Sequence, residues 1–234
     1  VVFVDSYFVC TTDTKKFICS APNDGTSWNA LDYGTAESNP DATVAPIVYK
    51  NQLFIAGSQT IEAFQNTGGA DFPFQRSGLY IQKGVFAPYS LINAQDTFVW
   101  VGGGENEGPS IWALSGNDSV KISTTPIDNL LQNLMQDQLE DIYSWTYSQN
   151  GAHFIGFNLP ETTLVFDLTS KRWHERRSVF EGELSRCRVS AICKAYNQII
   201  CGDFIDGRIG RIDPLVFTEY GNTIIRRVAT QPFF

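Results

Sequence analysis

Apolar and polar positions alternate along this chain in a recurring unit. An apolar run ends at Gly or a small residue, a short polar turn follows, and a second apolar run begins. DSYFVCT (5–11) precedes KFICS (16–20), and NQLFIAG (51–57) precedes TIEAF (60–64). QDTFVWVGG (95–103) precedes SIWAL (110–114), GAHFIGF (151–157) precedes TTLVFDL (162–168), and NQIICGD (197–203) precedes RIGRI (208–212). The anchors Phe8, Phe54, Phe98, Phe154 and Ile200 recur about every 45 residues, with one longer gap after Phe98. A period of that size made of short strands predicts an all-β fold, a β-propeller with one four-stranded blade per repeat. Five blades are expected, near 1–40, 41–84, 85–138, 139–186 and 187–234, in a single domain over 1–234. Strands from outside these repeats are one way to close the ring. An up-and-down barrel is the competing reading and demands more even spacing.

The longer gap has a local cause. In TTPID (124–128) the expected N-cap is Thr125, with Pro126 at the first helical position and Asp128 near the positive end. Ile127, Leu130, Leu131, Leu134 and Met135 follow at helical spacing. One helix of about three turns is predicted over 125–137. Its expected role is a packing insert between blades rather than a partner-binding helix.

Composition narrows the class. The chain is 43% hydrophobic and 18% charged, which is globular rather than disordered. Its net charge of −8 argues against a nucleic-acid groove, which needs clustered Lys and Arg. No apolar run reaches the length of a membrane span. The five Cys residues stand in strand-like contexts such as FVCT, FICS and IICG, which predicts buried thiols in a reducing compartment. Their spacing does not fit a zinc site, and no metal or cofactor is expected. The chain opens inside VVFVDSYFV without Met, so it is expected to be a piece of a longer polypeptide.

Candidate chemistry is sparse. His153 and His174 are the two histidines, and no Gly-x-Ser-x-Gly elbow accompanies them. GGGENEG (102–108) lacks the Lys of a phosphate loop, and DFIDG (203–207) lacks the ligand spacing of a calcium loop. The most charged run is KRWHERR (171–177). Arg172, Arg176 and Arg177 around Trp173 could grip an acidic partner by bidentate pairing and stacking, or form the solvated face of an edge strand. Loops 65–78, with Phe72 and Phe74, and 102–109 are further candidate contacts. SAPNDGTSW (20–28) nearly matches the turn signature of sialidase propellers. Asn23, Asp24 and Gly25 are turn formers, and Trp28 is expected to fold back and pin the hairpin. A sialidase-like glycan-hydrolysing or glycan-binding propeller is therefore the alternative function.

A second resemblance covers essentially the whole chain. SAPNDGTSWNALDYGTAESNPD (20–41), GSQTIEAFQNTGGADFPFQR (57–76), IQKGVFAPYSL (81–91), KISTTPIDNLLQ (121–132), LVFDLTSKRWHERRS (164–178) and IIRRVATQPFF (224–234) occur in order. Together they resemble the packaged-DNA stabilisation proteins of short-tailed bacteriophages. The resemblance implies a structural tail hub or plug protein of the virion, made in the host cytoplasm, and not an enzyme. It implies closure of the portal channel below its adaptor, in a homo-oligomeric ring of six copies, with surfaces for the tail needle and tailspikes. No catalytic, metal or cofactor residue carries over with it, and neither sequence-specific nucleic acid nor membrane is implied as a partner.

Overall fold

The computed structural model describes residues 1–36, 41–69 and 72–228. They form two compact units, Val1–Ser144 and Trp145–Phe234. Both are built from antiparallel meanders whose strands lie side by side in chain order.

The first unit holds three sheets. The first runs Val2–Val4, Tyr7–Thr11, Lys16–Ala21 and Asp24–Thr35. The second runs Thr43–Tyr49, Gln52–Gly57, Ile61–Asn66 and Phe74–Ile81. The third runs Ile92–Ala94, Thr97–Gly103, Ser110–Ser115 and Asp118–Lys121, with Gly84–Val85 added against the second of these.

The second sheet explains why its sequence is apolar almost without interruption. Successive strand side chains point to opposite faces. From Gln52–Gly57, Leu53 and Ile55 join a core with Val4, Val9 and Phe17 of the first sheet. Phe54 and Ala56 join a different core with Phe98 and Trp100 of the third. The strand therefore has no solvent face, and each fully buried large apolar side chain contributes about 1.5–3 kcal/mol. Phe54 and Phe98 meet with ring centroids 5.1 Å apart, and Phe17 meets Phe64 at 4.7 Å.

Tight turns set the register. Asp5–Ser6 and Lys50–Asn51 each place two consecutive residues at positive φ, joining Val4 to Tyr7 and Tyr49 to Gln52. Two positive φ values are the type I′ pattern, whose twist matches that of a hairpin. Buried Asp41 closes a further turn, its Oδ2 accepting from the backbone N–H of Gln59 (2.7 Å) and Thr60 (3.1 Å).

The helical region differs from the expected single helix. A helix, α1, spans Thr125–Gln132, and a second, α2, spans Gln136–Glu140. The N-cap is Thr124 rather than Thr125. Thr124 is extended, and its carbonyl accepts the first helical bond from Asp128 N–H. Ile127 and Leu131 are buried, but Met135 is exposed in extended backbone between the helices. The apolar spacing runs on across this break because α2 resumes within a turn of where α1 stops. Buried Asp128 is held by Ser123 Oγ (2.5 Å) and Lys121 Nζ (3.0 Å).

The second unit contains most of a fourth sheet: Tyr143–Gln149, Ala152–Asn158, Thr163–Asp167, Arg172–Phe180 and Glu183–Arg186. A three-stranded sheet follows, Val189–Ala195, Gln198–Asp203 and Ile209–Ile212, and then a small hairpin, Thr218–Glu219 with Asn222–Thr223. Tyr147 and Val165 pack with Val189, Ile199 and Ile212, joining the two larger sheets. Asn158 ties them with polar bonds. Its Nδ2 donates to Val189 O (2.8 Å), while its Oδ1 accepts from Thr163 Oγ1 (2.9 Å) and Trp145 Nε1 (3.3 Å). All five hairpins read from the sequence are present, and the fold is all-β with the two short helices.

Candidate functional site

KRWHERR lies on the strand Arg172–Phe180, paired on one side with Thr163–Asp167 and on the other with Glu183–Arg186. The strand period divides the run. Trp173 packs on Phe166 (4.9 Å) and Phe157 (6.0 Å), so its indole is part of the sheet packing. Arg172 is exposed, and Arg177 is exposed and pairs with Glu175 (3.2 Å). Arg176 is partly buried. Its guanidinium lies 4.8 Å from the Phe154 ring centroid, 5.3 Å from Tyr147 and 5.7 Å from Trp145. It donates to Tyr147 Oη and to His174 Nε2. The four residues singled out from the sequence therefore do not form one patch. Arg176 and Arg177 both line one cleft, and of the four only Arg176 has its guanidinium held among aromatic rings.

Phe72 and Phe74 are not free loop residues. Phe74 is 4% exposed, starts the strand Phe74–Ile81, and packs edge-on to Tyr7 at 5.7 Å. Phe72 leans on Phe17 at 5.4 Å at the border of the same core. Burial takes Phe74 out of the set of surface contacts, because its side chain has no face left for a partner.

Around Arg176 the second unit forms a cleft of about 850 Å³. Its floor carries a polar network. Ser178 Oγ donates to Glu219 Oε1 (2.9 Å) and accepts from Arg188 N–H (3.0 Å). Arg188 is buried and pairs with Asp203 (2.6 Å) and Asp206 (3.1 Å), and its guanidinium lies over the Tyr220 ring. Burial raises the pKa of Glu219, against the Ser178 bond and the Arg188 charge that lower it. Burial also raises the thiols of Cys187 and Cys201, which makes them poor nucleophiles. His153 is buried with both ring nitrogens bonded to hydroxyls, Thr146 (2.8 Å) and Ser148 (2.6 Å), and burial lowers its pKa. The pKa of His174, an exposed residue, is lowered by partial desolvation of its ring and then by the Arg176 charge, and its Nε2 accepts from Arg176.

The charge is unevenly spread. Eleven of the 17 basic residues lie in Trp145–Phe234, but only nine of the 25 acidic ones do. The cleft thus belongs to the basic part of an acidic chain. Among the described residues no group of three or more His, Cys, Asp or Glu is placed to hold a metal, and no helix is long and apolar enough to cross a membrane.

SAPNDGTSW forms a hairpin turn. Pro22 precedes Asn23, which is at positive φ, and Ala21 pairs with Asp24, the order of a type II turn. Trp28 Nε1 donates to Gly25 O (2.8 Å), and Asp24 Oδ1 accepts from Thr26 N–H (2.9 Å). Trp28 does fold back on the turn, yet it remains 37% exposed. Every bond named here is internal to the hairpin, so the near-match to the sialidase signature marks architecture.

The antiparallel meander sheets, with the second packed on both faces, are those of a β-propeller. The family model described as bacteriophage P22 Gp10, beta-propeller, matches residues 1–216, and the chain belongs to that family. The tail hub protein gp10 of Salmonella phage P22 is 23% identical over 191 residues, covering 79% of this chain and 40% of that protein. The chain thus spans well under half the length of the curated relative it matches. Among solved structures, the computationally designed Ika8 protein gives a TM-score of 0.46 at 17% identity, over 89% of this chain and 55% of that one. The Cps50 (Swd1) β-propeller domain of Myceliophteria thermophila gives 0.39 at 4% identity, over 85% and 59%. Neither likeness bears on function.

Proposed function

We propose that the protein is a non-enzymatic structural component of a phage tail. It completes or plugs the channel formed by the portal and its adaptor, retains packaged DNA, and offers attachment surface to the tail needle and tailspikes. It works in the virion as a homo-oligomeric ring, after synthesis in the host cytoplasm. The observation that carries this reading is the family match over residues 1–216, supported by the tail hub relative from phage P22. Packing also fits a scaffold, since its second sheet is braced by a core on each face. Retention by blocking an exit needs no grip on bases, which suits a chain of net charge −8.

The test is assembly. Full-length protein mixed with a purified portal–adaptor complex should co-sediment with it, and mass spectrometry of purified virions should detect it. Particles made without it should lose their DNA. Absence from virions together with no binding to the portal–adaptor complex would overturn the reading.

A further inference from the structure

Arg176 differs from most of its basic neighbours in what surrounds it, although Arg186, stacked on the Phe204 ring, shares its lack of an ion pair among the described residues. Arg177 pairs with Glu175, Arg188 with Asp203, Arg208 with Asp206 and Arg211 with Asp213. Arg176 has no carboxylate within ion-pair distance among the described residues. A guanidinium carries five N–H donors. Nε–H goes to His174 Nε2 at 3.3 Å, and one Nη1–H goes to Tyr147 Oη. The other Nη1–H and both on Nη2 meet no acceptor among the described residues. Nη2, with no protein partner there, is left to donate to a carboxylate.

The arginine is held in place before any ligand arrives. Trp145, Tyr147 and Phe154 surround its guanidinium, and the two hydrogen bonds fix its rotation. Little side-chain entropy is left to lose on binding. The same cleft is lined by Arg177, Arg211 and Arg226, and by the exposed apolar side chains Leu184, Val216 and Phe217. Glu175, Asp213 and Glu219 also line it. A nucleic-acid strand, charged at every phosphate, would meet these carboxylates at each step. A peptide can place an acidic side chain at the arginine and apolar ones beside it.

From this geometry we infer that the cleft around Arg176 binds an acidic, partly apolar peptide segment of a partner protein, with one carboxylate paired to the Arg176 guanidinium. The site does not depend on the virion role. A failed peptide titration removes the site and leaves that role standing, whereas the assembly test leaves the site untouched.

The probe is a short fluorescein-labelled peptide of alternating Glu and Leu, titrated with the full chain and followed by fluorescence anisotropy. Its controls are the same peptide with Gln for Glu and an oligothymidylate of equal charge. Saturable binding of the Glu peptide is expected, with affinity falling roughly 10-fold or more in Arg176→Gln and little changed in Arg172→Gln. A parallel measurement needs no variant. Phenylglyoxal modification of the unaltered protein, read by mass spectrometry, should show Arg176 shielded by the Glu peptide and not by the Gln peptide. Equal binding of the Gln peptide, unchanged affinity in a folded Arg176→Gln protein, or no shielding of Arg176 would overturn the inference. Shielding of Arg176 by oligothymidylate instead, or by self-association of the protein alone, would overturn it in favour of those occupants.

Discussion

Gly156→Ala offers a sharp test of the packing because local preference and tertiary fit have opposite signs. Alanine in a strand interior normally improves on glycine, which has no side chain to pack and more backbone entropy to lose. Gly156 lies within Ala152–Asn158 and pairs with Val165. A methyl built on it would stand 2.5 Å from Trp145 Cη2, and closer still to Cζ2 and Cε2. Ordinary carbon contacts are about 3.5–4.0 Å, so the ring must move by about 1 Å or more. Trp145 is almost fully buried, and moving it strains the 3.3 Å bond from Nε1 to Asn158. Overpacking costs about 1–3 kcal/mol and the lost hydrogen bond about 1, so a net loss of about 2–4 kcal/mol is expected. Urea unfolding at 25 °C, followed by far-UV circular dichroism, gives the difference directly. Trp145→Leu removes the obstructing ring, so in that background the added methyl should cost far less. A double-mutant cycle would show coupling above about 1 kcal/mol. If Gly156→Ala is neutral or stabilising, or if the cycle is additive, the close approach does not govern this site.

Other consequences are as direct. Trp28→Ala should cost about 1–1.5 kcal/mol rather than the larger sum for a core tryptophan, because only part of the ring is shielded and one bond to Gly25 is lost; a urea-unfolding difference near 3 kcal/mol would contradict this. In native protein a thiol-specific chromogenic reagent should react first with exposed Cys193. Buried Cys19, whose pKa burial and the nearby Asp32 charge raise to about 11, should wait for unfolding, as should Cys187 and Cys201; a fast phase that survives Cys193→Ser would refute it. Burial of His153 disfavours its imidazolium in the folded state, so the unfolded chain takes up the proton first. Its contribution to stability is therefore full above about pH 6.5 and falls as pH drops through the lowered folded value. His174 has the same sign, while Glu219, with its raised pKa, favours the folded state on acidification. Melting temperatures of His153→Gln between pH 7 and 5 should fall less steeply than those of the unaltered protein, and parallel slopes would exclude the histidine as the cause.

The hairpins were legible in the sequence because each is a short-range signal, two apolar runs around a polar turn. The first strands of the sheets were harder to place. Lys50–Asn51 and Tyr196–Asn197 turn at positive φ without glycine, so little in the residue types marks a turn there. Helix α1 was legible but its end was not, since apolar spacing continues through the break at Met135. In KRWHERR the strand period alone could have separated Arg176 from Arg177. What it could not supply is the pocket, because Trp145, Tyr147 and Phe154 come from two other strands of the sheet. Phe74 misleads for a similar reason. Its Gly- and Pro-rich approach reads as loop, while the ring turns inward to a partner, Tyr7, far away in sequence.

The two-sided burial of Gln52–Gly57 reaches beyond stability to how the chain can change over generations. A strand with one wet face has alternate positions where almost any polar residue will serve. This strand has none, because Leu53 and Ile55 answer to one core and Phe54 and Ala56 to another. A one-residue insertion would exchange large for small on both sides at once, and neither core could absorb the error alone. Variation in the second sheet is therefore expected to collect at Lys50–Asn51 and along the exposed positions of Phe74–Ile81, while the stretch between them stays nearly fixed in length and in the order of its side-chain volumes.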